Sequence, residues 1–232
     1  MDKTLKFVFK GIRFKSLGVG RTDAKVSSTD FLFQLFIDEE VHEKEFVDVF
    51  NLNSPTDVRV LSLKPIKNRE FNIIQHPKVK EYRYYFSFGE KNHPYCAPFL
   101  HGYIEDLNIE LMEKGAVLFE GHHNFKRYCT KPSEHTKVER TILSCSIKEN
   151  TELTASFFPK KSYILIIKGE GFLRNQIRLI MGALAELGKG NYTLDFIEKS
   201  LNPNATIPFL KTIAPASGLH LHKIDLKETE NY

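Results

Sequence analysis

Residues 18–28 read GVGRTDAKVSS, which sets Arg21 and Asp23 two positions apart among glycines and small polar residues. In an extended loop, side chains at i and i+2 point the same way. A guanidinium placed there would keep a carboxylate ionised and oriented through a charge-assisted bond. A carboxylate held in that way can act as nucleophile or base. It can equally be one half of a structural ion pair, and the two residues alone do not decide between these. In KEYRYYF, Lys80, Tyr82 and Tyr84 fall on one strand face, with Glu81 and Arg83 on the other. Strand tyrosines most often pack in a core, yet a phenol facing a cleft can stack on a base or carry a proton. Arg174 and Arg178 stand at i, i+4 on a segment of helical period. They are either solvated, or one of them reaches a carboxylate or a phosphate.

Other chemistries find little support. Gly18-Val-Gly20 lacks the third glycine of a dinucleotide-binding loop, and no P-loop sequence occurs. His122 and His123 are adjacent, so they cannot both face one way on a strand, and no metal site is expected. Cys96, Cys129 and Cys145 are odd in number, far apart and without a C-x-x-C, which fits a reduced, cytoplasmic setting. The formal net charge is +4, and its distribution says more than its size. Lys78, Lys80 and Arg83 cluster, as do Lys126, Arg127 and Lys131, Lys137 and Arg140, and Lys160 and Lys161. Such groups are solvated surface unless they converge on one face, where they would make a phosphate-binding field.

The elements that must position these residues follow from periodicity. The 232 residues, 41% hydrophobic and 27% charged, suffice for one large domain or two small ones with a sizeable core. No apolar run is long enough for a membrane span. The start, MDKTLKFVFK, is charged from its second residue, unlike a signal peptide. Helices are predicted over 3–9, 41–51 and 107–120, the last ending at Gly121. Strands are predicted over 14–20, 30–37, 57–66, 80–88, 140–148 and 162–169. Leu173, Ile177, Ile180, Met181, Leu184 and Leu187 form one stripe of a strong helix over 172–187. Thr193 can cap a last helix through Leu201, and GLHLHKIDL closes the chain as a strand. Strands beside strands with helices between them predict an α+β fold with a mainly antiparallel sheet. The loop 91–99 is the expected junction between an N-terminal part, 1–95, and a C-terminal part, 96–232.

Taken together these segments resemble one family. GRTDAKVSS is similar to the G-R-T-D-A-G-V-H-A signature of the TruA-type tRNA pseudouridine synthases. NLNSPTDVRV resembles that family's N-x-x-x-P-x-D-I stretch, KEYRYYF its tyrosine-bearing strand, and FEGHHNF its F-x-G-x-x-[DN]-F segment. GFLRNQIRLIMGAL is similar to its F-L-x-x-M-V-R-x-x-V-G helix, and APASGLHLHKIDL to its closing A-x-x-G-L-x-L strand. The motifs occur in order over residues 15–226.

The resemblance implies two ferredoxin-like halves whose largely antiparallel sheets join across a central cleft, with helices on one face. It implies a cofactor-free isomerase that acts as a homodimer on the anticodon stem-loop of tRNA. Asp23 would be the essential carboxylate, Tyr82 would stack on the target uracil and handle the C5 proton, and Arg178 would pair with Asp23. Arg21 would hold the nucleotide or its phosphate, and Leu219 would line the uracil pocket. Lys78, Lys126, Arg127, Lys160 and Lys161 are the candidates for the tRNA field. Detaching uracil from C1′, rotating it and rejoining it through C5 requires no redox change. It requires a held carboxylate, a base taken out of its stack and exclusion of water. Attack at C6, attack at C1′ and removal of the C2′ proton are all open to Asp23.

Three departures stand out. The family glycine after Asp-Ala is Lys25 here, and the family histidine is Ser27. The family also begins with a Y-x-G strand and a Gln-rich turn, whereas Met1 stands where the first helix should begin. The first half is therefore expected to lack its N-terminal strand, to expose sheet edge and to be the less stable half. Two other readings remain. A catalytically lapsed relative would bind RNA or chaperone tRNA. A glycosidase would need a second carboxylate near Asp23, for which Asp30 and Glu170 are the candidates.

Overall fold

The computed structural model describes residues 1–208, 210 and 212–227. In chain order the elements are α1 (Asp2–Val8), β1 (Phe14–Gly18), β2 (Ser27–Ser28), β3 (Phe33–Ile37), α2 (Glu43–Asn53), β4 (Lys78–Phe88), β5 (His101–Tyr103), α3 (Ile109–Val117), β6 (Gly121–Asn124), β7 (Glu139–Glu149), β8 (Tyr163–Gly169), α4 (Gln176–Gly188), α5 (Leu194–Ser200) and β9 (Leu219–Leu226). The fold is α+β with predominantly antiparallel sheets. Among the described residues no helix is long and apolar enough to cross a membrane.

The chain divides into two compact units. The first holds residues 1–21, 32–76 and Lys227, the second residues 22–31 and 77–226. This division falls elsewhere than the predicted junction at 91–99. β4 hydrogen-bonds to both β8 and β9, so the Tyr82 strand belongs with the later elements. Residues 22–31 join them because β2 pairs with β9.

In the first unit β1 and β3 form an antiparallel pair, with Phe14 opposite Ile37 and Gly18 opposite Phe33. Phe33, Leu35 and Ile37 alternate along β3 toward a core of Leu5, Phe9, Phe46, Phe50 and Val60. α1, with the Phe9 that caps its C-terminus, and α2 supply the first four of these core residues. Residues 57–66 are not the predicted strand. Their alternation is real, since Val58, Val60 and Leu63 pack against this core. Their backbone is satisfied by side chains instead of a neighbouring strand. Asn51 both accepts from the Val60 amide and donates to its carbonyl, each at 2.8 Å, and Ser54 donates to the Val58 carbonyl.

In the second unit a seven-stranded sheet runs β2-β9-β4-β8-β7-β6, with β5 pairing to the end of β4. Tyr84, Phe86, Leu165 and Ile167 share one core with the buried residues of α3, α4 and α5. The opposite face of the sheet packs Tyr85 and Ile164 against Cys96 and Leu100. α5 begins as predicted, with Thr193 Oγ1 accepting from the Phe196 amide at 3.1 Å. α4 begins four residues later than its apolar stripe suggested. Asn175 takes a left-handed conformation, φ 60°, which a continuing right-handed helix excludes and asparagine tolerates. Gln176 Oε1 then accepts from the Leu173 amide at 2.7 Å. Arg174 therefore lies outside the helix and is exposed, while Arg178 sits in its first turn. The short strands β2, β5 and β6 had no sequence signal of their own.

Candidate active site

Every element that builds the site belongs to the second unit. Asp23 lies in a turn closed by the Val26 amide, which donates to the Asp23 carbonyl at 3.1 Å. Lys25, inside that turn, has φ 69°. This is the left-handed region that a glycine enters without steric cost, and glycine is what the resembling family has at this position.

Arg178 Nη1 donates to Asp23 Oδ2 at 2.8 Å across 155 positions of sequence. The same Nη1 lies 3.2 Å from Asn175 Oδ1, and Nε donates to the Ala214 carbonyl at 2.7 Å. One planar guanidinium thus joins the Asp23 turn, the start of α4 and the segment leading into β9. The Ala214 amide returns a bond to the Arg178 carbonyl at 3.0 Å. The Asp23 carboxylate keeps 39% side-chain exposure, against 18% for Arg178. The carboxylate is therefore oriented from the protein side and open to a ligand on the other.

The segment before β9 is held closely. A Cβ on Gly182 of α4 would stand 2.2 Å from the Thr212 carbonyl oxygen, and one on Gly218 would stand 2.7 Å from Tyr84 Cζ. The Tyr84 hydroxyl donates to the Pro215 carbonyl at 2.9 Å. Only glycine allows these approaches. They deliver Leu219, which is buried, opposite Tyr84 on β4.

Tyr82 is half-buried, opposite Leu221 of β9 and Ile167 of β8, and meets Phe172 edge-on with ring centroids 5.4 Å apart. Burial first, and then the nearby negative charge of Asp23, push its phenol up to about 12. At neutral pH it is a protonated, aromatic wall, suited to stacking and to donating a hydrogen bond.

The predicted site residues fare differently. Asp23 and Arg178 are brought together, and Tyr82 lies within electrostatic range of Asp23. The guanidinium on Asp23 is that of Arg178, and Arg21 is exposed. Lys78 is buried at the start of β4, where desolvation lowers its pKa, so it does not face solvent as a phosphate ligand would. Arg127 is committed to the carbonyls of Ser200, Asn202 and Ala205, as a clamp on the end of α5. Lys126, Lys160 and Lys161 are exposed. Lys161 also lies 3.7 Å from Glu149 and over the Tyr163 ring. Asn175, the Ala214 carbonyl and Phe172 were not singled out from sequence, although each lies in a quoted motif. Nothing in their residue types marks them apart from the fold that gathers them.

A family model described as tRNA pseudouridine synthase matches residues 116–225. The chain is 24% identical over 225 residues to tRNA pseudouridine synthase A of Listeria monocytogenes serotype 4a, covering 97% of this chain and 87% of that protein. It is 26% identical over the same length to tRNA pseudouridine synthase A of Shouchella clausii, covering 97% and 82%. It is 27% identical over 209 residues to tRNA pseudouridine synthase A 2 of Bacillus thuringiensis subsp. konkukian, covering 90% and 81%. Fold and similarity set the chain beside the RNA-modifying isomerases of the pseudouridine synthase class. Within that class the chain is similar to the TruA-type tRNA pseudouridine synthases, over nearly its whole length.

Proposed function

We propose that this protein converts uridine to pseudouridine in tRNA, with Asp23 as its essential carboxylate. The observation that carries this reading is the 2.8 Å pair between Arg178 and an Asp23 that stays partly open to solvent. A guanidinium bonded on one side aims the carboxylate without blocking its approach to a nucleotide. The isomerisation breaks the N1–C1′ bond, turns the base, and forms a C5–C1′ bond. The C5 proton is lost and N1 gains one, so the atoms balance without a co-reactant. Tyr82 supports the reading as the surface on which the flipped uracil stacks, its neutral phenol beside the charged Asp23. Leu219 supplies apolar wall to the uracil pocket, and Arg21 serves the substrate phosphate. The anticodon stem-loop as target, a homodimer as the working form, and the cytoplasm as its place complete the proposal.

The glycosidase alternative loses one of its two candidates, because Asp30 Oδ2 accepts from the Ile224 amide at 3.0 Å. The intact set of carboxylate, guanidinium and phenol speaks against a lapsed RNA-binding module. The test is incubation of unmodified tRNA with the protein, carbodiimide (CMC) derivatisation, and mass spectrometry. Alkali-stable adducts are expected with the wild type and none with Asp23→Asn, while the Asn variant still binds tRNA. Wild-type turnover by the Asn variant would refute the role of Asp23. Absence of adducts with the wild type on every tRNA would refute the activity.

A further inference from the structure

We infer that Asp30 is a positioning residue for the Asp23 carboxylate, locking the end of the Asp23 loop onto strand β9 where that strand bulges. The inference rests on the pseudouridine-forming reading above and adds a residue to it. It starts from an irregularity in register. Along β4, Tyr82 faces Leu221 and the preceding Glu81 faces Lys223, so His222 is an extra residue in β9. A bulge of this kind bends the strand and leaves backbone groups without their ladder partners.

The outer side of β9 is followed across the bulge by the segment 27–30. β2 pairs with β9 over two residues only, Ser27 with His220 and Ser28 with Leu221. Such a short strand has little holding power alone. Side chains then continue where the ladder cannot. The Thr29 amide donates to the Leu221 carbonyl at 3.0 Å, and its hydroxyl to the His222 carbonyl at 2.9 Å. Asp30 Oδ2 accepts from the Ile224 amide at 3.0 Å, beyond the extra residue. The segment is thereby matched to a bulged strand: a side-chain acceptor meets a backbone amide that a straight continuation of β2 would have missed.

The consequence reaches the site. Asp23 sits immediately before this strap, separated from it only by the turn in which Val26 bonds back to Asp23. Arg178 holds the Asp23 side chain, and the strap holds its backbone. β9 is also the strand that pairs with β4 at Tyr82, so fixing residue 30 on β9 fixes residue 23 relative to the phenol. An ionised Asp30 makes the stronger, charge-assisted form of this bond, but its geometry needs only an oxygen acceptor. Asparagine can supply one and alanine cannot.

The test compares Asp30→Ala and Asp30→Asn with the wild type, reading kcat and KM on tRNA and hydrogen exchange over residues 22–31. Asp30→Ala is expected to lower kcat about tenfold, because a misplacement of the reacting group well below 1 Å is costly. Its KM should stay within about twofold, since Asp30 contacts no phosphate in this role and tRNA affinity is dominated by basic groups. Exchange at the Val26 and Thr29 amides should quicken, and Asp30→Asn should restore both readouts. Thr29→Val, which removes the hydroxyl's bond to the His222 carbonyl and its 3.4 Å contact with His222 Nδ1, serves as the second variant should Asp30→Ala fail to fold, and should show the same kcat loss in milder form. Wild-type kcat in Asp30→Ala overturns the inference, as does a rise in KM with kcat unchanged. Unchanged exchange over 22–31 overturns the anchoring itself. An inactive wild type refutes the proposed reaction and removes the catalytic part of the inference, whatever exchange shows.

Discussion

Replacing Arg178 probes the arrangement most directly, because one guanidinium serves three acceptors. In Arg178→Ala the bond from Nε to the Ala214 carbonyl is lost, a charge-assisted contact of about 2 kcal/mol. The pair with Asp23 contributes less, about 0.5 kcal/mol, because the carboxylate is 39% exposed and water screens it. Lost packing of the alkyl stem brings the total to about 3 kcal/mol. For a chain of this length that corresponds to a fall in Tm of roughly 6–12 °C. Arg178→Lys keeps one cationic contact and should lose about half as much. Activity should separate from stability. A single ammonium cannot hold Asp23 and Ala214 together, so kcat should drop about a hundredfold even in the Lys variant. Affinity for tRNA should change little, because Arg178 is engaged by the protein. Differential scanning calorimetry and the CMC assay measure the two effects. A Lys variant with wild-type kcat, or an Ala variant with unchanged Tm, would show that the three-way contact does not hold the site.

Other consequences are open to test. Lys25→Gly should be neutral or stabilising, by up to about 1 kcal/mol, since relief of left-handed strain is set against greater unfolded-state entropy; a destabilised variant in chemical denaturation would contradict this. Glu81 is buried, which raises its pKa, but hydrogen bonds from Arg83 and Lys168 outweigh burial and leave it below the ordinary 4.5. The unfolded chain therefore binds the proton more readily, and the contribution of Glu81 to stability is present above pH 4.5 and fades as pH falls through its lowered value. Glu81→Gln should flatten the acid limb of the stability curve, and an unaltered limb would refute the assignment. Affinity for tRNA should fall steeply with salt, and combined Lys126→Ala, Lys160→Ala and Lys161→Ala should lessen the log–log slope by up to about 1 per lysine; an unchanged slope would remove these three from the field. Tyr82→Phe should keep nucleotide affinity while showing, through kcat, whether the phenol hydroxyl acts beyond stacking; affinity lost with the ring retained would refute the stacking role.

The sequence by itself determined what depends on near neighbours. The alternation of KEYRYYF made β4, Thr193 capped α5, and the stripe from Ile177 to Leu187 placed α4 against a core. These signals are local because a strand or helix face becomes apolar at a spacing that the backbone alone sets. The Arg-Thr-Asp loop and the order of the motifs likewise point to Asp23, Tyr82 and Arg178 as candidates. Only the tertiary structure decided which partner each polar group took. The spacing of the loop left the partner of Asp23 open, and the fold brings Arg178 to it from 155 positions away. Residues 57–66 alternate like a strand, yet Asn51 and Ser54 satisfy their backbone bonds and no strand forms. Lys78 and Arg127 read as surface cations, yet one is buried and the other is spent on three carbonyls. Asp30 read as a possible second carboxylate, yet a bulge at His222 turned it into a strap on β9. Hydrogen bonds and ion pairs form with whatever donor the packed chain brings within about 3 Å, and that neighbourhood is set by contacts distant in sequence.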